Sequence, residues 1–154
     1  MRVGVGATVW SRGVCSGHID GIGHYTQELY RHLAALGGDH LLVPVAFGQS
    51  GSRSVDGNIV SYLPRYSTSA FWSAVSGMSF YGGDSLSTAV DLFHATDHYT
   101  PNFKHIPVVA TLMDAIPLSH PQWANQSARK IKNWLWRQSG QWAQRVITIS
   151  DYSR

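Results

Sequence analysis

The chain has 154 residues, 44% of them hydrophobic and 14% charged, a balance that buries a core and excludes a disordered or fibrous protein. Its formal charge of +3, with eight neutral histidines, suits anionic partners of many kinds and does not single out nucleic acid. The single Cys15 excludes an internal disulfide and a multi-cysteine zinc site, no apolar run reaches the roughly 18 residues of a membrane helix, and no secretory pattern opens the chain, so a cytoplasmic protein is expected.

Strand-like and helix-like segments alternate, which predicts βαβ units and an α/β fold with an open parallel sheet of Rossmann type. Arg2 to Thr8, rich in Val and Gly, reads as a first buried strand, and Gly13 to Gly23 as a glycine-punctuated loop. Tyr25, Leu29, Leu33 and Leu36 recur at helical spacing from His24 to Leu36, and Gly37-Gly38 stops that helix. Leu41 to Phe47 is a second strand, Gly48 to Gly57 a polar turn region, and Asn58 to Leu63 a third strand. The pattern is weakest over 65–90, where Phe71, Trp72, Val75, Met78 and Phe80 make one short apolar helix ended by Gly82-Gly83. Asp91 to Ala95 is a short strand, Thr96 to Lys104 a loop, and Ile106 to Leu112 a β-branched strand. A loop marked by Pro117 and Pro121 leads into a long helix from about Ser127 to Ala143. Arg145 to Ile149 is the last strand, and Ser150-Asp151 resembles the N-cap of a further helix.

Four segments carry residues able to do chemistry. In Asp20-Gly21-Ile22-Gly23 the glycines let a ligand approach the backbone, and free N–H groups at a helix start favour a phosphate. The plainer reading is a tight loop that only starts a helix. Gly4-Val5-Gly6 lies inside the strand without a third glycine, so it fails the dinucleotide fingerprint and argues against a nucleotide-dependent oxidoreductase. The second segment is Asp91 to Pro101, at a strand end where α/β sheets bind ligands. There Asp97 and His98 can orient hydroxyls or move protons, or serve only as polar turn residues. His94 and His98 are four apart, a metal-ligand spacing on a helix that loses its meaning here, and no metal is expected.

The third segment, Pro107 to Leu118, places Asp114 at a strand tip, where a carboxylate can bind sugar hydroxyls or simply cap a turn. The fourth is the long helix. No acidic residue lies between Asp114 and Asp151, whereas Arg129, Lys130, Lys132, Arg137 and Arg145 are basic. Ile131, Leu135, Trp142 and Val146 form the expected buried stripe. Lys130, Trp134, Arg137 and Gln141 form another, which reads either as a solvated basic face or as a peripheral membrane contact.

Taken in order, GIGHYTQEL (21–29), DLFHATDHYTP (91–101), PVVATLMDAIPLSHP (107–121) and KNWLWRQSGQWAQRVITISDYSR (132–154) resemble the amino-terminal domain of family-4 glycosyltransferases. That group is retaining and has the GT-B fold; residues 48–90 add little to the likeness. The resemblance implies two Rossmann-like domains facing a cleft, with residues 1–154 as the acceptor-side domain and the nucleotide sugar held mainly by a second domain outside this chain. It implies transfer of a hexosyl group, mannosyl-like, from a nucleotide sugar to a glycan or lipid-linked acceptor, in polysaccharide biosynthesis at the inner face of the membrane. No cofactor, metal or nucleic acid is implied, and this chain alone is expected to be inactive. Carried onto this sequence, the substrate and donor-phosphate residues are Gly21, Gly23, Tyr25, Asp97 and Met113, and the catalytic ones Asp114 and His98. The family's strand-tip motif usually reads Thr-x-His-Asp. Here it is Thr111-Leu112-Met113-Asp114, and a thioether cannot share a proton. The competing class is a stand-alone Rossmann-like binding module without turnover.

Overall fold

The computed structural model describes residues 1–48, 51–113 and 129–150. In chain order these form β1 (Arg2–Gly6), α1 (Thr8–Ser16), α2 (Gly21–Ala35), β2 (Leu41–Phe47), β3 (Gly51–Val55), β4 (Asn58–Leu63), α3 (Tyr66–Ser76), α4 (Gly83–Ser87), β5 (Leu92–Ala95), β6 (Val108–Leu112), α5 (Arg129–Gly140) and β7 (Arg145–Thr148). The strands make one seven-stranded sheet in the order β3-β4-β2-β1-β5-β6-β7, parallel throughout except for the β3–β4 pair. This is the expected Rossmann-like α/β architecture. The chain builds outward from β1 through β2 and β4, then returns to β5 on the other flank of β1, so the strand order reverses between β1 and β5.

Alternation along the strands divides the core between two faces. Val45, Phe47, Phe93, Ala95, Val108 and Ala110 point one way and pack with Ala70, Phe80, Leu86 and Phe103, with Leu135 and Trp142 against them. Ala7, Trp10, Ala46, Val55 and Val60 form the cluster on the other side, with Tyr30 against it. A short polar chain fastens α2 to the sheet: the Thr26 and Thr96 hydroxyls lie 3.1 Å apart, and Thr96 donates to the Gly6 carbonyl at 2.5 Å, both threonines fully buried.

Several elements differ from the sequence reading, each for a physical reason. Thr8 does not end a strand; it begins α1, which occupies part of the expected loop. The helix was hidden because Gly13 interrupts it and its N-cap, Ala7, offers no side-chain cap. Gly17, at φ 75°, closes it in the left-handed conformation. Helix α2 begins at Gly21 rather than His24, because Asp20 caps it by accepting a bond from the Gly23 N–H at 2.9 Å. The polar turn region contains β3, joined to β4 by the two-residue turn Asp56-Gly57, at φ 50° and 76°. Positive φ at both positions matches the twist of a hairpin, a combination that Asp-Gly favours.

Helix α3 ends at Gly77, not at Gly82-Gly83, and only Phe80 of the expected apolar set is buried. Trp72, Val75 and Met78 are 62%, 61% and 66% exposed, and Phe71 is exposed beside them. In the long-helix stripe Leu135 and Trp142 reach the core, but Val146 is exposed on β7. The helix ends at Gly140, short of Ala143. Pro117, Pro121, Ser127 and Asp151 lie outside the described residues, as do the side chains of Lys130, Ile131 and Lys132.

Candidate functional site at the carboxyl edge of the sheet

Parallel strands deliver the residues that follow them to one edge, and open α/β sheets bind ligands there, near the reversal of strand order. At the reversal, between the tips of β1 and β5, the structure places Asp97. Its Oδ2 accepts bonds from the N–H groups of Thr8 at 3.1 Å and Val9 at 3.3 Å, the first residues of α1, and its Oδ1 accepts from Tyr99 N–H at 3.1 Å. The residue is 2% exposed. Asp97 thereby supplies from another strand the cap that Ala7 cannot, and its oxygens serve the fold rather than face a substrate. Burial pushes its carboxyl above the ordinary range, while the backbone bonds and the nearby His98 pull it back down.

A cavity of about 590 Å³ opens between Asp20, Gly21, Ile22 and Tyr25, at the start of α2, and Met113 and Ile149, just past β6 and β7. It thus unites three residues singled out from sequence: Gly21, Tyr25 and Met113. The first turn of α2 has two kinds of N–H. Those of Gly23 and His24 bond the Asp20 side chain and carbonyl. Those of Gly21 and Ile22 come before the first internal acceptor an α-helix can offer, and such groups suit an anion. The two glycines differ. A Cβ at Gly21 would meet nothing within 4 Å, whereas one at Gly23 would sit 2.7 Å from Ile19 Cγ2 and 3.5 Å from Trp10 Cα. Gly21 therefore leaves the cavity open, and Gly23 lets α2 lie close to α1.

The remaining candidates fall elsewhere. His98 is half-buried, its ring 5.2 Å from that of Trp136, and lines neither this cavity nor its neighbour. Asp114 follows Met113 directly but lies outside the described residues. His94 bonds the Thr111 hydroxyl through Nε2 at 2.8 Å, and burial lowers its pKa by disfavouring the charged ring. Asp91 is at the opposite end of β5, paired with Arg2 at 2.7 Å. Among the described residues, no cluster of three or more His, Cys, Asp or Glu side chains is placed to hold a metal ion.

A second cavity, of about 380 Å³, opens on the same edge past β1, β2 and β4. Arg12, Arg53 and Arg65 line it with Ser11, Cys15, Tyr62, Tyr66 and Tyr99. Sequence reasoning missed it entirely. Its three arginines come from three separate segments, and one of them sits on the unrecognised α1.

With this geometry in hand, comparison with known proteins decides the family. The sequence matches the model for Glycosyltransferase Family 4 over residues 19–154. The chain belongs to that family. No curated protein and no solved structure gives a match. Membership supports a glycosyltransferase role for the chain, with a nucleotide sugar and an acceptor as its partners in general. The mostly parallel sheet agrees with the amino-terminal half of a GT-B fold. Among the described residues of this family-4 domain, no helix is long and apolar enough to cross a membrane.

Proposed function

We propose that this family-4 domain is the acceptor-side half of a retaining hexosyltransferase, mannosyl-like in its sugar, whose donor phosphates approach the start of α2 across the cavity of Gly21, Tyr25 and Met113. The observation that carries the reading is that cavity. It joins the open first turn of a helix, suited to a phosphate, to the tips of two strands at the edge where α/β sheets bind ligands. The nucleotide is held by a second domain facing this edge, Asp114 and His98 are the acid–base candidates, and the chemistry uses no metal. The acceptor is a glycan or lipid-linked sugar met at the cytoplasmic membrane face. Support for the membrane contact comes from α3, which exposes Phe71, Trp72 and Val75 and lies against α5, where Trp134 and Arg137 are exposed.

Calorimetric titration tests the division of labour. The 154-residue chain should bind UDP-, GDP- and ADP-sugars no more tightly than about 1 mM, near 4 kcal/mol, and should transfer nothing. Joined to a donor domain of the family, it should yield a product that keeps the donor's anomeric configuration. Micromolar affinity in the chain alone would refute the placement of the donor site in a second domain, and an inverted product would refute the retaining assignment.

One observation favours a second reading, a binding module without turnover. Among the described residues the cavity's only carboxylate, Asp20, is occupied as the cap of α2, and Met113 stands where the family usually has histidine. Absence of any transfer by the joined protein, alongside intact donor binding, would select that reading.

A further inference from the structure

We propose that the arginine-lined cavity past β1, β2 and β4 binds a phosphate monoester, and that this is the group by which the acceptor is gripped. The word acceptor rests on the transferase reading above; the phosphate site rests on the cavity alone.

Three cations from separate segments converge on one hollow: Arg12 from α1, Arg53 from β3 and Arg65 from the residue before α3. Among the described residues, no carboxylate lines it. Asp97 lies beneath Thr8 and Tyr99, but its oxygens are taken by backbone N–H groups and it is 2% exposed. Arg12 and Arg65 bring like charges to one space and repel each other, so the arrangement favours a ligand carrying more than one negative charge. A phosphate monoester carries about −1.5 to −2 near pH 7 and matches the planar fork of arginine.

The aromatic wall orients these cations. Arg12 Nη1 reaches the Tyr99 hydroxyl at 3.4 Å, and the Arg53 guanidinium carbon lies 6.0 Å from the centre of the Tyr62 ring. The Tyr62 hydroxyl bonds that of Ser11. Hydroxyls of Ser11, Tyr62, Ser67 and Tyr99 therefore surround the same space, the donors and acceptors a phosphoryl oxygen and its alcohol carbon chain would meet. A cavity of about 380 Å³ has room for a substituent beyond the phosphate. The phosphate can belong to a soluble ester or to a lipid. Helix α3 begins at the cavity with Tyr66 and Ser67 and continues into exposed Phe71 and Trp72, which would meet a lipid's chains.

Cys15 makes the test direct, because it is the sole cysteine, is exposed and lines this cavity. Its alkylation by a neutral maleimide is followed in the whole chain while glycerol 3-phosphate is added. A second arm replaces the ester with phosphatidylcholine vesicles, with and without phosphatidic acid. Saturable slowing of labelling by glycerol 3-phosphate supports the site and a soluble source. Slowing by phosphatidic acid vesicles alone supports the site and a lipid source. In either case Arg12→Gln and Arg65→Gln should each weaken half-saturation about tenfold, while Arg31→Gln, on α2 and paired to Glu28, leaves it unchanged. Thermal melting of each variant establishes that it is folded, and the unmutated chain's response needs no variant at all. No slowing by either probe overturns the proposal, as does equal weakening by Arg31→Gln. Because no nucleotide sugar enters the assay, failure here leaves the transferase reading standing. Failed sugar transfer likewise leaves the phosphate site standing.

Discussion

Asp97→Ala should be among the most destabilising single substitutions at this edge. It removes three hydrogen bonds, at 3.1, 3.3 and 3.1 Å, and strands the N–H groups of Thr8 and Val9 at the uncapped start of α1. At about 1 kcal/mol for each bond, the loss is about 3 kcal/mol. For a chain of this size that corresponds to a fall in Tm of about 6–12 °C. Asp97→Asn keeps one acceptor oxygen for Thr8 and Val9 and turns an amide toward Tyr99, so it should lose only about 1 kcal/mol. The pH dependence has a definite sign. Burial raises this carboxyl, so the folded chain holds the proton more tightly than the unfolded one. The associated stability is full below the unfolded pKa of about 3.9 and is lost as pH rises through the raised folded value. The asparagine variant lacks that titration, so the advantage of the unmutated chain over it should shrink as pH rises through the window. Differential scanning calorimetry at several pH values measures both effects. A melting point for Asp97→Ala within 2 °C of the parent, on a scale of about 2–4 °C per kcal/mol, would refute the capping role.

The two glycines at α2 should behave oppositely. Gly21→Ala, with open space for its Cβ, should keep stability or raise it by about 0.5–1 kcal/mol, yet reduce turnover of the chain joined to a donor domain of the family. Gly23→Ala should cost about 1–3 kcal/mol in a melting experiment, since Ile19 must move from 2.7 Å. Met113→His faces the cavity and should raise turnover in the joined protein with little change in Tm; a drop of about 1–3 kcal/mol without any gain would mean the imidazole is buried without partners. Replacing exposed Phe71 and Trp72 by serine should weaken flotation with anionic vesicles while leaving Tm nearly unchanged; unchanged flotation would remove α3 from the membrane contact.

What could be read from sequence follows the strength of local patterning. The β-branched runs of β2, β4 and β6 and the leucine spacing of α2 announce themselves, because buried parallel strands and amphipathic helices leave dense periodic signals. Helix α1 left none: it is nine residues long, contains Gly13, and takes its cap from Asp97, 89 positions away from Thr8. The Asp56-Gly57 hairpin was read only as part of a polar turn region, because Ser52, Arg53 and Ser54 offer no apolar face to mark the strand before it. The apolar residues of α3 marked a helix but not which of them is buried, because hydrophobicity alone does not say which face is covered. At the site, Gly21, Tyr25 and Met113 were accessible because each lies in a local motif at an element boundary. The three-arginine cavity is assembled only by folding, from positions that no spacing rule connects.

The threonine pair beneath α2 has a mechanical consequence. Thr26 stands one turn and a half from Gly21, and its hydroxyl is moored through Thr96 to the carbonyl of Gly6 in the middle of the sheet. Both bonds are buried, so sliding α2 would orphan polar groups away from water. The jaw that presents Gly21 is thus fixed, like the anvil of a vice. Ligands of different girth cannot be accommodated by easing this helix outward. A partner closing over the cavity would therefore have to travel toward a stationary surface, and its reach would set the size of ligand held between them.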